Sequence, residues 1–203
     1  MRIIAVEGID ASGKETQVKR LVESLRVMGY KACWDAFPRY NVAIGQWVKS
    51  GLTGRVDMTP EALHLLYEVD RVDFQADIKA LEDMGYDFLV LDRYILSNLA
   101  YGMAKGLDLD WLKAVQSKLR KPDLTFVMDI SAETSMKRKP KREDKHEEDS
   151  RLLNRARMAY TFLAGQLSEI NGEDALIYVI DANNEPDDVH EMMIDITKLS
   201  FGG

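Results

Sequence analysis

The sequence predicts a three-layer α/β/α fold on a five-stranded parallel sheet, and three observations carry that expectation. Five short runs, residues 3–6, 32–37, 88–91, 124–130 and 175–180, are close to continuously apolar, as strands are when helices cover both faces of a parallel sheet. Stretches of helical spacing separate them, and an alternation of strand and helix requires right-handed crossovers. The glycine-rich string Gly8-Ile9-Asp10-Ala11-Ser12-Gly13-Lys14 stands between the first run and the first helical stretch, where a phosphate-binding loop belongs.

The elements follow in order. Val18, Leu21, Val22, Leu25 and Met28 keep helical spacing, and Gly29 stops that helix. Thr59-Pro60-Glu61 reads as an N-cap and first turn, opening one helix through Leu63, Leu66, Tyr67, Ile78 and Leu81 to Gly85. Two more helical stretches run over residues 152–170 and 186–199. With no internal repeat and no Gly-, Ser- or Pro-rich linker, residues 1–203 are expected to form a single domain. One segment departs from the alternation. Lys137-Arg138-Lys139-Pro140-Lys141-Arg142 has five basic residues in six, and an acidic stretch follows to Asp149. A charge run is ordinarily a solvated loop, but its place after the fourth strand predicts a phosphate-facing lid at about 137–149.

Composition narrows the functional classes. A chain of 203 residues with 46% apolar and 30% charged residues can bury a sizeable core. A net charge of −7 argues against a nucleic-acid partner, which demands a basic excess. Cys33 is the only cysteine, so an intrachain disulfide and a cysteine zinc cluster are excluded; it reads as a core residue of the second strand. His64, His146 and His190 lack metal-ligand spacing. The first apolar run is too short for a signal peptide and no segment approaches a membrane span, so a cytoplasmic location without a membrane partner is expected.

The glycine-rich string matches GxxxxGK. Glycines let backbone N–H groups turn inward around phosphate oxygens, the helix N-terminus adds its dipole, and Lys14 would bridge β- and γ-phosphates. The next position usually offers a hydroxyl to Mg²⁺; here it is Glu15, with Thr16 one place later. Either Glu15 meets the ion, or it turns away and other carboxylates hold it. Arg93 follows an apolar strand ending in Asp92, which puts its guanidinium at the carboxyl edge of the sheet, where ligands bind. Its planar fork can hold two phosphate oxygens, whereas Asp92 suits a structural salt bridge.

Three further strings accompany Glu7-Gly8-Ile9-Asp10: Phe37-Pro38-Arg39-Tyr40, Asp92-Arg93-Tyr94 continued as Ser97-Asn98-Leu99-Ala100-Tyr101, and Lys121-Pro122-Asp123. In order and spacing they resemble the thymidylate kinase family over nearly the whole chain, in wording most like its bacterial members. The resemblance implies a P-loop enzyme that moves the γ-phosphoryl group of ATP onto thymidine monophosphate with Mg²⁺, as a homodimer. It places ATP on Gly8, Ile9, Asp10, Ala11, Ser12, Gly13, Lys14, Glu15 and Thr16, with Asp181, Ala182 and Asn183 bordering the adenine. It places the acceptor on Asp10, Phe37, Pro38, Arg39, Tyr40, Tyr67, Arg71, Arg93, Ser97, Asn98 and Tyr101. Tyr67 stacks on the base, Arg71 and Asn98 bond its edge, Tyr101 crowds the 2′ side of the sugar, and Arg93 grips the phosphate. Some members carry an arginine where this chain has Ala11; those without it use lid arginines, here Arg138 and Arg142. Lys14, Arg93 and Asp10 complete the implied catalytic set, and Asp10 with Glu147, near Asp144, the implied metal ligands. His146 stands where a tyrosine is common. The alternatives are a P-loop kinase for another deoxynucleotide or a deoxynucleoside, and a P-loop ATPase switch, against which the sequence lacks Asn-Lys-x-Asp.

Overall fold

The five apolar runs pair side by side in the computed structural model, which describes residues 1–138, 146–166 and 176–202 and, for 146–149, the backbone alone. Strands β1 (Arg2–Glu7), β2 (Ala32–Ala36), β3 (Phe88–Asp92), β4 (Leu124–Asp129) and β5 (Leu176–Asp181) form a parallel sheet of order β2-β3-β1-β4-β5. The central strand β1 pairs Ile4 with Val90 on one side and Leu124 on the other, and Ile3, Ile4, Ala5 and Val6 are buried. That explains the absence of polar alternation in their sequence. The edge strand β5 leaves Tyr178 and Val179 exposed.

The helices are α1 (Lys14–Val27), α2 (Ala43–Leu52), α3 (Pro60–Asp73), α4 (Gln75–Asp83), α5 (Ile95–Ala104), α6 (Leu109–Val115), α7 (Ala132–Arg138), α8 (His146–Ala164) and α9 (Pro186–Phe201). The chain crosses from β1 to β2 in one direction along the sheet and from β3 to β4 in the other. Right-handed crossovers therefore put α1 and α5 on opposite faces. On its face α1 packs against β2, β3 and α9; on the other, α5 packs against α8, α6 and α3. The expected apolar stripe of α1 is buried at Val18, Leu21, Val22 and Leu25, while Met28 lies past the helix end beside Gly29 at φ 93°.

The structure differs from expectation in four places. The helix expected to run unbroken to Gly85 divides at Phe74. Gln75 Nε2 donates to the Arg71 carbonyl at 2.8 Å, the acceptor an unbroken helix would give its backbone, and its Oε1 accepts from Arg120 N at 2.9 Å; such an insertion bends a helix. Helix α5 was read only as the end of a motif, because Ile95–Ala104 is apolar on nearly every side. Helix α8 starts at His146, before the expected 152; residues 167–170, at the end of that expected stretch, and 175 lie outside the described residues. Lys137 and Arg138, assigned to the lid, form the last turn of α7, and the rest of the basic run lies outside the described residues.

Arg39 ties the loop after β2 to two helices. Its Nε and backbone N donate to the two oxygens of Asp70 at 2.8 and 2.9 Å, Nη2 reaches Asp73 at 2.7 Å, and Nη1 reaches Asp77 at 3.0 Å. The Asp70 side chain has no exposure, and that of Asp73 is 56% exposed. Arg39→Ala should therefore destabilise the fold by about 3–5 kcal/mol, because it strands a buried carboxylate. Asp73→Ala, which removes a solvated partner, should cost less than about 1 kcal/mol. Urea melts of the two variants compare them directly.

Candidate active site

The loop after β1 is shaped by close approach. Gly8 has φ 139°, and a Cβ there would lie 2.5 Å from the Met128 carbonyl oxygen of β4, so only glycine fits. Gly13, at φ 93°, caps α1, and Ala11 holds φ 55° between them. Lys14 folds over the loop, donating to the Ile9 carbonyl at 2.7 Å and Ser12 Oγ at 3.2 Å. Burial, reinforced by the charge of Arg93, pushes its ammonium down to about 7, against the pull of Asp92, Asp10 and Glu7. A buried cation held so far down is matched to an arriving anion. Glu15 is exposed and accepts from Lys19 Nζ at 2.6 Å, one turn along α1; Thr16 is also exposed.

Arg93 joins this loop to the end of β3. Its backbone takes φ 65°, and its N–H donates to the Val6 carbonyl at 2.9 Å. Nη1 donates to the Gly8 carbonyl at 3.0 Å, Nη2 pairs with Asp10, and the guanidinium lies 5.3 Å from the Tyr101 ring centre. The Tyr101 hydroxyl donates to Asp10 Oδ1 at 3.0 Å. Asp92, expected in a salt bridge, has a buried Oδ1 without a hydrogen-bond partner; burial raises its carboxyl, and the charges of Lys14 and Arg93 lower it. Glu7, quoted only as part of a motif, is fully buried and accepts from Tyr94 N at 2.8 Å, Leu96 N at 3.1 Å and the Ser97 hydroxyl. A single acid closing an apolar strand was its signal.

Beside Arg93 opens a cavity of about 260 Å³, at the small end of ligand pockets. Asp10, Phe37, Pro38, Tyr40, Tyr67, Arg71, Arg93, Ser97, Asn98 and Tyr101 line it, as do Leu52, Lys105 and Leu152, which sequence reasoning missed. Lys105 was legible, since it continues the helical face of Asn98 and Tyr101. Arg71 donates through Nε to the Tyr94 carbonyl at 2.9 Å and through Nη1 to the Tyr67 carbonyl at 2.8 Å. One expected contact differs: Arg39 does not line the cavity, because three aspartates hold its guanidinium. The Asn98 amide, which lines the cavity as expected, also donates to Glu68 Oε2 at 2.7 Å and meets His64 Nδ1 at 2.6 Å.

On the other side of the loop, Arg138 reaches the carbonyls of Ala182 at 3.2 Å and Ala11 at 3.5 Å. Asp181 Oδ1 accepts from Asn183 N at 3.0 Å. Ala11, Arg138, Ala182 and Asn183 thus gather on that side of the loop. Arg142, Asp144 and the side chains of His146 and Glu147 lie outside the described residues.

A glycine cradle at a helix N-terminus, with a second, arginine-bearing cavity at the same sheet edge, defines a P-loop nucleotide kinase. A family model described as thymidylate kinase matches residues 6–193. The chain is 37% identical over 145 residues to a thymidylate kinase of Caenorhabditis elegans, covering 67% of this chain and 66% of that one. It is 30% identical over 195 residues to a thymidylate kinase of Schizosaccharomyces pombe, covering 96% and 90%. It is 31% identical over 210 residues to a probable thymidylate kinase of Thermococcus kodakarensis, covering 98% of each. The chain belongs to the thymidylate kinase family.

The state of Lys14 can be read without turnover. With its ammonium near 7 among these residues and raised again beside phosphates, binding of a nucleoside triphosphate should take up protons above that pH. Calorimetry in buffers of different ionisation enthalpy should show uptake approaching one proton at pH 8 and vanishing at pH 6. Lys14→Met should abolish the difference.

Proposed function

We propose that this chain transfers the γ-phosphoryl group of ATP to thymidine monophosphate, giving dTDP and ADP. The observation that carries the reading is Arg93, which touches the phosphate loop through Gly8 and lines the acceptor cavity. Phosphoryl transfer asks the protein mainly for position and for charge over the migrating group. Lys14 supplies charge at the β- and γ-phosphates, and Arg93 holds the acceptor phosphate in line. For this, Arg93 exchanges its Asp10 partner for phosphate oxygens. Ala11 brings no charge of its own, and Arg138, bonded to the Ala11 carbonyl, stands ready beside the loop. Tyr101, anchored on Asp10, occupies the sugar side.

The residues present fit Mg²⁺. Asp10 and the orphaned, buried Asp92 Oδ1 are hard oxygen donors at the loop, and Mg²⁺ usually takes one or two carboxylates together with phosphate oxygens and water. Glu15 is spent on Lys19, outside this set. When bound, the ion would offset charge between the β- and γ-phosphates.

The reading extends to a cytoplasmic enzyme that works as a homodimer; the exposure of Trp47 on α2 and of Leu65, Val69 and Val72 on α3 supports the dimer. Sedimentation at micromolar concentration should give a dimer, and a monomer alone would overturn that reading.

A coupled assay across nucleoside monophosphates and nucleosides tests the activity. Turnover should be highest with dTMP and absent with thymidine. Arg93→Ala should lower kcat/KM for dTMP by about two orders of magnitude or more, the scale of losing a charge-stabilising group. Near-normal turnover in a folded variant would sink the role given to Arg93.

A further inference from the structure

Behind the cavity wall, three polar side chains form a chain that phosphoryl transfer does not use. Asn98 reaches it from α5, and His64 and Glu68 stand one turn apart on α3. All three are buried: His64 has no exposure, Asn98 2% and Glu68 3%. The Nδ2 of Asn98 donates to Glu68 Oε2 at 2.7 Å, and Oδ1 lies 2.6 Å from His64 Nδ1. Two atoms of this group, Glu68 Oε1 and His64 Nε2, are buried without a hydrogen-bond partner.

The chemistry of the partners fixes which way the amide points. Burial raises the Glu68 carboxyl, and the Arg71 charge, the Asn98 amide and the Lys121 charge pull it back; ionised, it has no proton to give and must face the NH₂ end of Asn98. The oxygen end then faces His64. Burial pushes that imidazole down to about 4, so it is neutral and carries one ring proton, which must sit on Nδ1. Nε2 is left with a lone pair, in agreement with its missing partner. Two buried acceptors without donors are costly to keep, and what they hold is a single orientation of one amide.

That orientation matters because an asparagine amide is almost symmetric in shape. Turned by 180°, it exchanges donor and acceptor at nearly the same positions. Free to turn, it could meet either the N3–H and carbonyl of thymine or uracil, or the N3 and exocyclic amine of cytosine. Clamped, it can match only one of these patterns. We propose that Glu68 is a specificity-determining positioning residue: by fixing the Asn98 amide it commits the acceptor site to a pyrimidine bearing N3–H beside a carbonyl, and rejects cytosine. The inference rests on the acceptor site proposed above. It makes no distinction between thymine and uracil, whose edges are alike here.

Glu68→Gln is the decisive variant, because glutamine keeps the shape but can donate as well as accept, so Asn98 is free to turn. kcat/KM for dTMP should stay within about threefold, and kcat/KM for dCMP should rise about tenfold, the scale of relieving one unsatisfied buried polar group. A gain of activity on one substrate is not a product of structural damage. Glu68→Leu releases the same amide and should raise the dCMP-to-dTMP ratio similarly, read also as the relative melting-temperature rise each nucleotide gives. His64→Leu leaves the grip of Glu68 in place and should keep the ratio within about threefold. An unchanged ratio in both Glu68 variants, with folding confirmed by their melts, would overturn the inference while leaving the wild-type preference for dTMP intact. A wild-type protein inactive on every monophosphate would instead defeat the reading beneath it.

Discussion

A buried carboxylate at the end of the central strand holds the two halves of the site together. Glu7 has no exposure, and desolvation raises its carboxyl while the Ser97 hydroxyl, the Arg71 charge and the Tyr94 N–H pull it back. Its oxygens take the Tyr94 and Leu96 N–H groups at the start of α5, where free amides and the helix dipole favour an anion. They also take the Ser97 hydroxyl, which the Tyr160 hydroxyl from α8 meets at 2.7 Å. Between β3 and those clamped amides lies Arg93, in a left-handed conformation that costs a non-glycine residue on the order of 1–3 kcal/mol. The strain persists because Glu7 on one side and the Val6 carbonyl on the other determine the turn. Arg93 can then face both the Gly8 carbonyl and the cavity.

The charges around the loop are arranged to receive an anion. Lys14 is buried and Arg93 lies close enough to lower its proton affinity, while Asp10 pairs with Arg93 and Asp92 keeps an unpaired oxygen. A site whose cations are already desolvated has little solvent left to reorganise when phosphates arrive, which is where electrostatic catalysis draws its advantage. Glu15 forms an ordinary i, i+4 pair with Lys19, and its charge adds to the burial that raises Asp92.

Features governed by local periodicity were legible in the sequence. The five strands showed as apolar runs because both faces of the sheet are covered, α1 showed as a stripe, and Gly8 and Lys14 showed through their spacing between strand and helix. Tyr67 and Arg71 share a helix face, and both line the cavity. Features set by distant partners were not legible. Arg39 reads as a ligand residue within its motif, yet Asp70, Asp73 and Asp77 lie 31 to 38 residues away. The break at Phe74 depends on one glutamine side chain meeting Arg120, 45 residues on. Helix α5 was hidden for the opposite reason: buried on nearly all sides, it has no polar face to mark its period.

The same distinction explains how one turn of α3 can organise the cavity wall without most of its residues touching the cavity. Glu68 grips Asn98, and Asp70 grips Arg39, whose backbone carries Phe37, Pro38 and Tyr40 to the wall. Arg71 lines the cavity and donates to the Tyr94 carbonyl, while the amide of that same Tyr94 is held by Glu7. A polar chain therefore runs from the end of β1 through α5 into α3. Because its links are buried, no water stands ready to replace a lost partner, and loosening one link leaves a desolvated group behind. The geometry that sets the cavity beside the glycine-rich loop is thus specified by buried pairs between elements far apart in the chain, with the motif residues at the wall resting on them.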